Sequence, residues 1–398
     1  MSFLSYFSPD FCTARDRFIA LATGRGFRLA SYPIDARDAR GSDGEKLTID
    51  VALLGSPDPR RVVIVSSGLH GVEGFFGSAT QLAWLNTRGA TWSPPADGAF
   101  ILVHAINPFG FAWRRRWNES NVDLNRNFLD DRRFLTSDPF YRESRQIYES
   151  LNAFLNPTSP PSRCEPYTLK AIRLILAQGI VARAQLPVQK KPSFFAFRKI
   201  FSLGLGELQK TLPVGQYEHE KGLFYGGSEP EQSTKVLQQQ LPVWVGKARM
   251  ILHVDFHTGL GTYGNYKLFI ADEPGTERCE WVTTRFGAAH VEPWNGTTAY
   301  PARGNMAGYF KKRFADRKYH CLTAELGTYK PMRVLGTLRA ENRAHFHGKR
   351  GQLAYERAKQ QVMEAFCPVA PAWRQQAIDK GLKIIDQVVS VGFGVAVD

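Results

Sequence analysis

Short runs of apolar and β-branched residues alternate along the chain with stretches that have helical periodicity. Runs of this kind, bounded by glycine, proline and polar residues, are typical of buried strands. Helical patterns lie between several of them, as at 77–86 and 139–155. Because strands alternate with helices, the pattern favours an α/β fold with a mostly parallel or mixed sheet. The predicted strands lie at 48–54, 61–67, 99–106, 249–256, 266–271 and 321–326.

Three stretches modify this pattern. The sequence S-E-P-E at 228–231 has the Ser-x-x-Glu spacing of a capping box and predicts a helix that begins at Ser228. Residues 157–227 interrupt the alternation with a Pro/Ser-rich start and a basic helical stretch. We interpret them as a large insertion, at the rim of the active site, in a single domain that spans 1–398. The apolar tail VVSVGFGVAVD has a strand-like pattern.

The composition narrows the class of protein. With 43% hydrophobic and 22% charged residues, the 398-residue chain has the make-up of a globular protein with a large core. No apolar run approaches the roughly 20 residues that span a membrane, and the first residues lack the basic and apolar regions of a secretory signal. A cytoplasmic location is therefore expected. The cysteines are widely spaced without a CxxC pair, which argues against a disulfide framework and a cysteine metal cage: Cys12, Cys164, Cys279, Cys321 and Cys367.

The formal net charge of +14 raises the question of an anionic partner. The basic residues are scattered, however, and no zinc-finger or RNA-binding signature is present. We therefore expect neither a nucleic-acid nor a membrane partner. The densest basic cluster is Arg114, Arg115 and Arg116, within the stretch RRRWNESNVDLNRNF.

Two common catalytic signatures do not explain the chain. GLGTYG at 259–264 matches the G-x-G-x-x-G spacing of dinucleotide-binding loops. That motif needs a helix directly after it to hold the pyrophosphate, whereas the following NYKLFIAD has a strand-like pattern, so we interpret the glycines as a turn. A serine nucleophile of the α/β-hydrolase kind is not indicated either, because the sequence contains no G-x-S-x-G motif.

Metal chemistry fits the residues at two strand ends better. His70 and Glu73 follow one predicted strand in the glycine-rich SSGLHGVEGF, and His257 follows another in HVDFHTGLG. Because ligands of α/β sheets bind outside the carboxyl ends of the strands, these side chains are expected to meet. Zinc in hydrolases takes three nitrogen or oxygen ligands and keeps one position open for water. The pattern predicts a Zn²⁺ site held by His70, Glu73 and His257.

The strand before His257 contains a second histidine. His253 is an alternative ligand, because it shares a face with Asp255 and His257 if that strand is regular. Asp255 is a candidate hydrogen-bond acceptor for a ligating histidine, or else a turn residue. His104 lies in the middle of another predicted strand and is interpreted as a hydrogen-bonded core residue.

Two further stretches supply polar groups for a substrate. TAELGT places Glu325 at the end of an apolar strand, where a carboxylate is either paired or serves as the base for a metal-activated water. RRRWNESNVDLNRNF carries Arg116 and the adjacent Asn125 and Arg126. An adjacent Asn–Arg pair can hold a carboxylate by several charge-assisted hydrogen bonds, whereas the simpler interpretation is a solvated basic loop.

Taken together, these residues resemble the zinc carboxypeptidase superfamily, which includes pancreatic-type carboxypeptidases and the aspartoacylase/succinylglutamate desuccinylase branch. In that superfamily an H-x-x-E motif and a distant histidine bind zinc, and a glutamate at a strand end is the general base. The resemblance implies those roles for the metal ligands and the base in chain order: His70, Glu73, His257 and Glu325.

The resemblance also covers a substrate-binding block. NPFGFAWRRRWNESNVDLNRNF at 107–128 is similar to the family's N-P-x-G-F…R…D-x-N-R-N block. It implies that Arg116, with the two preceding arginines as alternatives, polarises the scissile carbonyl. It implies that Asn125 and Arg126 bind the substrate carboxylate. Family carboxypeptidases also cap the substrate with a tyrosine upstream of the base, and Tyr300 and Tyr309 are the candidates here.

A closer resemblance is carried by HGVEGFFGS, GLFYGG, DFHTGLG and ELGTY…LRAEN. These motifs are similar to an uncharacterised bacterial branch, a domain of unknown function with a carboxypeptidase-like fold. The resemblance covers roughly 45–365. It implies a three-layer α/β/α fold with a mixed, mostly parallel central sheet.

The expected protein is a zinc-dependent hydrolase that cleaves an amide bond next to a free carboxylate. A metallocarboxypeptidase acting on small peptides is the first hypothesis. An N-acyl amino acid amidohydrolase of the aspartoacylase kind, with the same metal chemistry, is the second. A third is an inactive module that binds an acidic ligand, against which the intact metal set and Glu325 argue.

Overall fold

A single eight-stranded sheet forms the centre of the computed structural model, which describes residues 3–131, 134–161, 212–294 and 302–394. The strands are β1 (Arg28–Pro33), β2 (Thr48–Gly55), β3 (Arg61–Ser67), β4 (Gly98–His104), β5 (Met250–Thr258), β6 (Tyr266–Ile270), β7 (Val291–Pro293) and β8 (Lys318–Leu326). Their order across the sheet is β1-β2-β4-β3-β5-β8-β6-β7. The central strands β4, β3, β5 and β8 are parallel, and β2 and β6 flank them antiparallel. The predicted mixed, mostly parallel sheet is confirmed.

Helices cover both faces of this sheet. They are α1 (Phe11–Gly24), α2 (Gly74–Thr87), α3 (Pro108–Ala112), α4 (Phe134–Ser137), α5 (Pro139–Leu155), α6 (Gln232–Val245), α7 (Glu277–Phe286), α8 (Met306–Arg313), α9 (Pro331–His347), α10 (Leu353–Phe366) and α11 (Pro371–Phe393). On one face α2 packs its Phe76 ring against Phe256 of β5. On the other face Trp244 of α6 contacts Tyr32 of β1. The result is the three-layer arrangement that the sequence predicted.

Burial on both faces explains why the central strands were visible in the sequence. All residues of β4, and all but the first residue of β3 and β5, are buried. Strands covered on both faces have nearly continuous apolar runs, because neither face meets water. His104 in β4 is fully buried beside Ser78 of α2, with the imidazole Nε2 2.9 Å from the hydroxyl. This contact confirms its interpretation as a core residue.

The capping-box prediction at Ser228 is wrong. The helix in this region, α6, begins at Gln232, and Glu231 is its N-cap residue without a capping hydrogen bond from its side chain. The Glu231 carboxylate instead accepts a hydrogen bond of 2.7 Å from the Ser120 hydroxyl. The acidic end of the motif therefore holds a neighbouring loop and does not fold back on its own helix.

The strand-like interpretation of the C-terminal tail is also wrong for the part that the structure describes. Helix α11 continues to Phe393. Its buried side chains recur at helical spacing over the last turns, at Ile384, Ile385, Val388 and Val389. This spacing places them on one side of a helix, where they pack on the sheet.

Most of the predicted insertion lies outside the described residues, at 162–211, together with Cys164. Its assignment as an insertion at the rim of the site stays a prediction. The turn between GLGTYG and β6 is confirmed, because β6 begins at Tyr266 without an intervening helix. Within the described ranges, no helix has the length and apolar character needed to cross a membrane.

Candidate metal centre

The predicted ligands meet at the carboxyl ends of β3 and β5. Strand β3 ends at Ser67, and the following loop places His70 before a short 3₁₀ turn at Gly71–Glu73. Gly71 is required there, because a Cβ at this position would lie 2.1 Å from the backbone of Gly110. The glycine-rich character of the loop thus allows two backbone segments to pack closely, and this packing holds the H-x-x-E pair in place.

His70, Glu73 and His257 form a compact cluster of donor atoms. The Nδ1 atoms of the two histidines lie 3.2 Å apart. The two Glu73 oxygens lie 2.9 Å from His70 Nδ1 and 3.0 Å from His257 Nδ1. All three side chains are buried, and one donor atom from each lies within 4.8 Å of the others. Two nitrogens and a carboxylate that converge in this way fit the ligand set of a catalytic zinc ion.

Each histidine of the cluster has a carboxylate on its outer nitrogen. His70 Nε2 lies 3.2 Å from Asp123 Oδ1, and His257 Nε2 lies 2.5 Å from Asp255 Oδ2. A carboxylate behind a metal-ligating histidine fixes its tautomer and its ring orientation. Asp255 therefore makes the contact proposed for it, and its place within β5 excludes the turn alternative.

The charges inside the cluster shift the pKa values of its acids. Burial alone would raise the pKa of the Glu73 carboxyl, but His70 and His257 hold it well below its ordinary value. Burial would likewise raise the pKa of Asp123, but the neighbouring Arg116 and Arg126 hold it well below its usual range. Both carboxyl groups are therefore ionised and available as a ligand and as a hydrogen-bond acceptor.

Glu325 lies on β8 directly opposite His257 in the strand register. Its Oε1 accepts a hydrogen bond of 2.8 Å from the backbone N–H of Leu260, in the glycine-rich turn. Burial, reinforced by the charge of Glu73, raises the pKa of Glu325 to about 8. A carboxyl group with a raised pKa beside a metal cluster is typical of a general acid–base residue.

The three consecutive arginines have different surroundings. Arg114 has a positive φ of 51°. Arg115 is fully buried and donates to Asn121 Oδ1 at 2.8 Å. Arg116 reaches the cluster, with its Nη2 2.7 Å from His70 Nε2. Of the three alternatives, Arg116 is therefore the arginine that lies at the predicted site.

Asp123, for which the sequence predicted no role, holds Arg116 in place. The Nε of Arg116 donates to Asp123 Oδ2 at 2.9 Å, and its guanidinium lies 5.8 Å from the ring of Phe224. Asp123 thus links Arg116 to His70. The signal for Asp123 was present in the D-x-N-R-N block, two residues before Asn125.

Asn125 and Arg126 lie on the next turn, Leu124–Arg126, and both are buried. The Nε and Nη2 atoms of Arg126 donate to the carbonyl oxygen of Pro213 at 2.9 and 2.5 Å. Asn125 Oδ1 accepts a hydrogen bond of 3.1 Å from the backbone N–H of Met306. The planar edge of the Arg126 guanidinium therefore faces the backbone carbonyl of Pro213.

The remaining candidates are placed as follows. His253 does not belong to the His–Glu–His cluster, because its Nε2 lies 2.7 Å from Ser66 Oγ and its Nδ1 3.0 Å from the Tyr319 hydroxyl. Tyr309 packs against Phe128, with ring centroids 5.9 Å apart. Tyr300 lies outside the described residues.

The fold and the site define an α/β protein with a buried His–Glu–His cluster at the carboxyl ends of its parallel strands. The model of the DUF2817 family, described as proteins of unknown function, matches residues 7–190 and 175–380. The chain belongs to this family, which confirms its resemblance to an uncharacterised branch of unknown function. No curated protein matches the chain.

Solved structures with low sequence identity are similar to the chain. One is bovine thrombin-activatable fibrinolysis inhibitor in complex with tick carboxypeptidase inhibitor, with a TM-score of 0.49 and 10% identity, covering 97% of this chain and 98% of that one. Another is an aspartoacylase family protein from Mesorhizobium loti, with a TM-score of 0.34 and 13% identity, covering 85% of this chain and 66% of that one.

Proposed function

We propose that the protein is a zinc-dependent hydrolase that cleaves an amide bond next to a free carboxylate, acting on peptides as a metallocarboxypeptidase. The observation that carries this proposal is the convergence of His70 Nδ1, Glu73 and His257 Nδ1 within 4.8 Å. Glu325 emerges on the neighbouring strand opposite His257. Few arrangements other than a metal site explain two histidine nitrogens and a carboxylate facing one point in a buried site.

In this proposal His70, Glu73 and His257 hold the zinc ion, which supplies Lewis-acid activation of a water and of the scissile carbonyl when bound. In its ionised form Glu325 accepts the proton of the attacking water, and it then delivers that proton to the leaving amine. Its burial keeps bulk water away from the carboxyl group, so the proton passes between groups within the site.

Arg116 and the Asn125–Arg126 pair act on the substrate. The guanidinium of Arg116 lies at the cluster and stabilises the negative charge that develops on the carbonyl oxygen. Arg126 binds the substrate carboxylate with Asn125. A carboxylate brings a full negative charge to the guanidinium, whereas the Pro213 oxygen is neutral, so the substrate competes for the same N–H donors and displaces that oxygen.

A second candidate function is the deacylation of N-acyl amino acids. The buried state of the whole cluster favours it, because Arg116, Asn125 and Glu325 are each no more than 7% exposed. An enclosed site suits a small substrate better than an extended peptide. The metal ligands, the base and the carboxylate anchor keep the same roles in both candidates.

The first experiment compares dipeptides and N-acyl amino acids side by side as substrates of the zinc-loaded protein. We expect turnover of one class, and we expect Glu325→Gln to lower it by about 10²–10⁴-fold with full zinc content, because the amide cannot accept the proton. Zinc that is lost with this substitution would make Glu325 a ligand. Bound zinc without turnover of any amide would favour the inactive carboxylate-binding module.

The second experiment tests the carboxylate anchor. Blocking the substrate carboxylate as a methyl ester should lower kcat/KM at least about tenfold, because a charge-assisted bidentate contact is lost. Arg126→Ala should remove most of the preference for the free acid. Arg142→Ala, at an exposed position of α5, is the matched control and should keep it. Equal cleavage of free and blocked substrates by the wild type would identify a broader amidase.

A further inference from the structure

A continuous chain of buried polar groups lies beneath His257. From His257 Nε2 the contacts run to Asp255 Oδ2 at 2.5 Å and from Asp255 Oδ1 to Ser66 Oγ at 2.6 Å. They continue from Ser66 Oγ to His253 Nε2 at 2.7 Å and from His253 Nδ1 to the Tyr319 hydroxyl at 3.0 Å. All five side chains are no more than 2% exposed.

Strand register brings these residues together. Ser66 of β3 is paired with Asp255 of β5, and His253 of β5 is paired with Cys321 of β8, two residues beyond Tyr319. Paired residues of adjacent strands point to the same face of a sheet, and residues two apart on one strand do so as well. The chain of contacts therefore crosses three adjacent strands on the face that also carries His257.

Counting donors and acceptors fixes the direction of every hydrogen bond. The ionised Asp255 only accepts, so the single Ser66 hydroxyl proton points to it. Ser66 must then accept a hydrogen bond from His253, which places the imidazole proton on Nε2. His253 Nδ1 is left as an acceptor, and the Tyr319 hydroxyl is within reach to donate to it.

The same count shows that the Nε2 nitrogen of His257 carries a proton. With Asp255 accepting at Nε2, His257 carries a proton there, so Nδ1, which faces Glu73 and His70, is the nitrogen that can offer a lone pair to a metal ion. A histidine can bind a metal ion only through such a lone pair. Burial lowers the pKa of His253 to about 4, so that this ring is neutral and has one proton to donate.

We propose that Ser66, His253 and Tyr319 are positioning residues that orient the Asp255 carboxylate and thereby hold His257 in its metal-binding tautomer. The inference rests on the proposed function, since it takes the ligand of the cluster to be a zinc ion. It also explains the H-V-D-F-H motif, in which the first histidine acts through Asp255 and the second one binds. Contacts of this kind behind a ligand typically contribute about 10–100-fold to metal affinity.

The chain offers a matched control for the test. Ser78 and His104 form a second buried serine–histidine contact of 2.9 Å, between α2 and β4, which does not join the Asp255 network. Zinc affinity is measured by competition with a chelator for Ser66→Ala and for Ser78→Ala. We expect about tenfold weaker binding in Ser66→Ala, wild-type binding in Ser78→Ala, and recovery in Ser66→Thr, which restores the hydroxyl.

The visible spectrum of the cobalt-loaded protein gives a readout that a general loss of stability does not change. Ser66→Ala and Tyr319→Phe should alter the cobalt absorption bands, because the His257 ring is held less firmly, whereas Ser78→Ala should leave them unchanged. Zinc affinity that falls equally in Ser66→Ala and Ser78→Ala, or in neither, would overturn the proposal.

Nitrogen NMR of the histidine rings separates this inference from the proposed function. In the metal-free protein we expect the proton of His253 on Nε2, and a mixture of tautomers in Ser66→Ala, which removes the acceptor of that proton. A wild-type protein that binds neither zinc nor cobalt would contradict the proposed function. The tautomer of His253 in that protein would still test whether the hydrogen bonds run as proposed. A His253 protonated on Nδ1 would overturn the chain even if zinc is bound.

Discussion

Buried charges near the cluster have partners of opposite charge, whereas for the partly buried Glu119 the effect of burial outweighs the charge of Arg37. Asp123 lies between Arg116 and His70, and Arg115 is paired with Glu341. Both carboxylate oxygens of Glu119 are shielded from solvent and have no hydrogen-bond partner among the described residues. Burial raises the pKa of Glu119 to about 7. Its charge therefore costs stability near neutral pH.

The sign of this effect can be tested with Glu119→Gln. The folded protein holds the proton up to about pH 7, whereas the unfolded chain releases it near the ordinary value of 4.5, so wild-type stability falls as the pH rises through this window. The glutamine variant has no such loss. We expect it to be more stable than the wild type by about 2–3 kcal/mol at pH 8 and equally stable at pH 4.5, as measured by urea unfolding.

Glu143→Gln is the control, because Glu143 is exposed on α5. It should change the free energy of unfolding by less than about 0.5 kcal/mol at either pH. A Glu119→Gln variant that gains the same stability at both pH values would show that the charge of Glu119 is not the cause.

At the scale of elements, helices α9 and α10 brace the loop of the cluster. Glu341 of α9 accepts a hydrogen bond of 2.5 Å from Lys359 of α10 and lies 3.5 Å from Arg115. The backbone carbonyl of Arg115 in turn accepts a hydrogen bond of 2.9 Å from the N–H of Val72, within the H-x-x-E turn. The LRAEN motif of the sequence is thus connected to the metal loop through one buried arginine.

Removing Glu341 should therefore be costly. Glu341→Ala leaves Arg115 and Lys359 as buried charges without their acidic partner, which typically costs about 3–5 kcal/mol of unfolding free energy. Glu341→Gln keeps an acceptor and should cost less. Chemical denaturation measures both, with the exposed Glu143→Ala as a reference that stays near zero. A Glu341→Ala protein with wild-type stability would mean that this ion pair does not hold the two helices and the loop together.

The elements that could be predicted from the sequence are those with a clear hydrophobic pattern within their own segment. The central strands and α5, Pro139–Leu155, followed from apolar runs and helical spacing. Strand β1 was not predicted, because it lies at the sheet edge with mostly partly exposed residues, and β7 is only three residues long. The tail of α11 was misread because its valines are β-branched, although tertiary packing overrides that preference.

At the scale of the whole molecule, the cluster depends on segments that are far apart in the chain. Its ligands could be predicted, since each one follows a recognisable strand and the ends of parallel strands meet. The Ser66–His253–Tyr319 contacts could not, because they depend on the register of three strands. The Pro213 carbonyl could not either, because only the folded chain brings it to Arg126.

This assembly links metal binding to the stability of the entire fold. Glu73 and His257 are separated by 184 positions, so an unfolded chain cannot hold an ion between them with comparable affinity. A ligand that binds only the folded state stabilises it by about 2.7 kcal/mol at a free concentration one hundred times its Kd. We therefore expect zinc to raise the Tm of the metal-free protein by a few degrees and chelation to reverse the increase.

In His257→Ala the zinc-dependent increase should disappear, because one of three protein ligands is lost. His104→Ala provides the comparison, since it removes a buried histidine from the core and should lower the Tm while it keeps the increase with zinc. An increase that persists in His257→Ala would place the stabilising ion somewhere other than the His–Glu–His cluster.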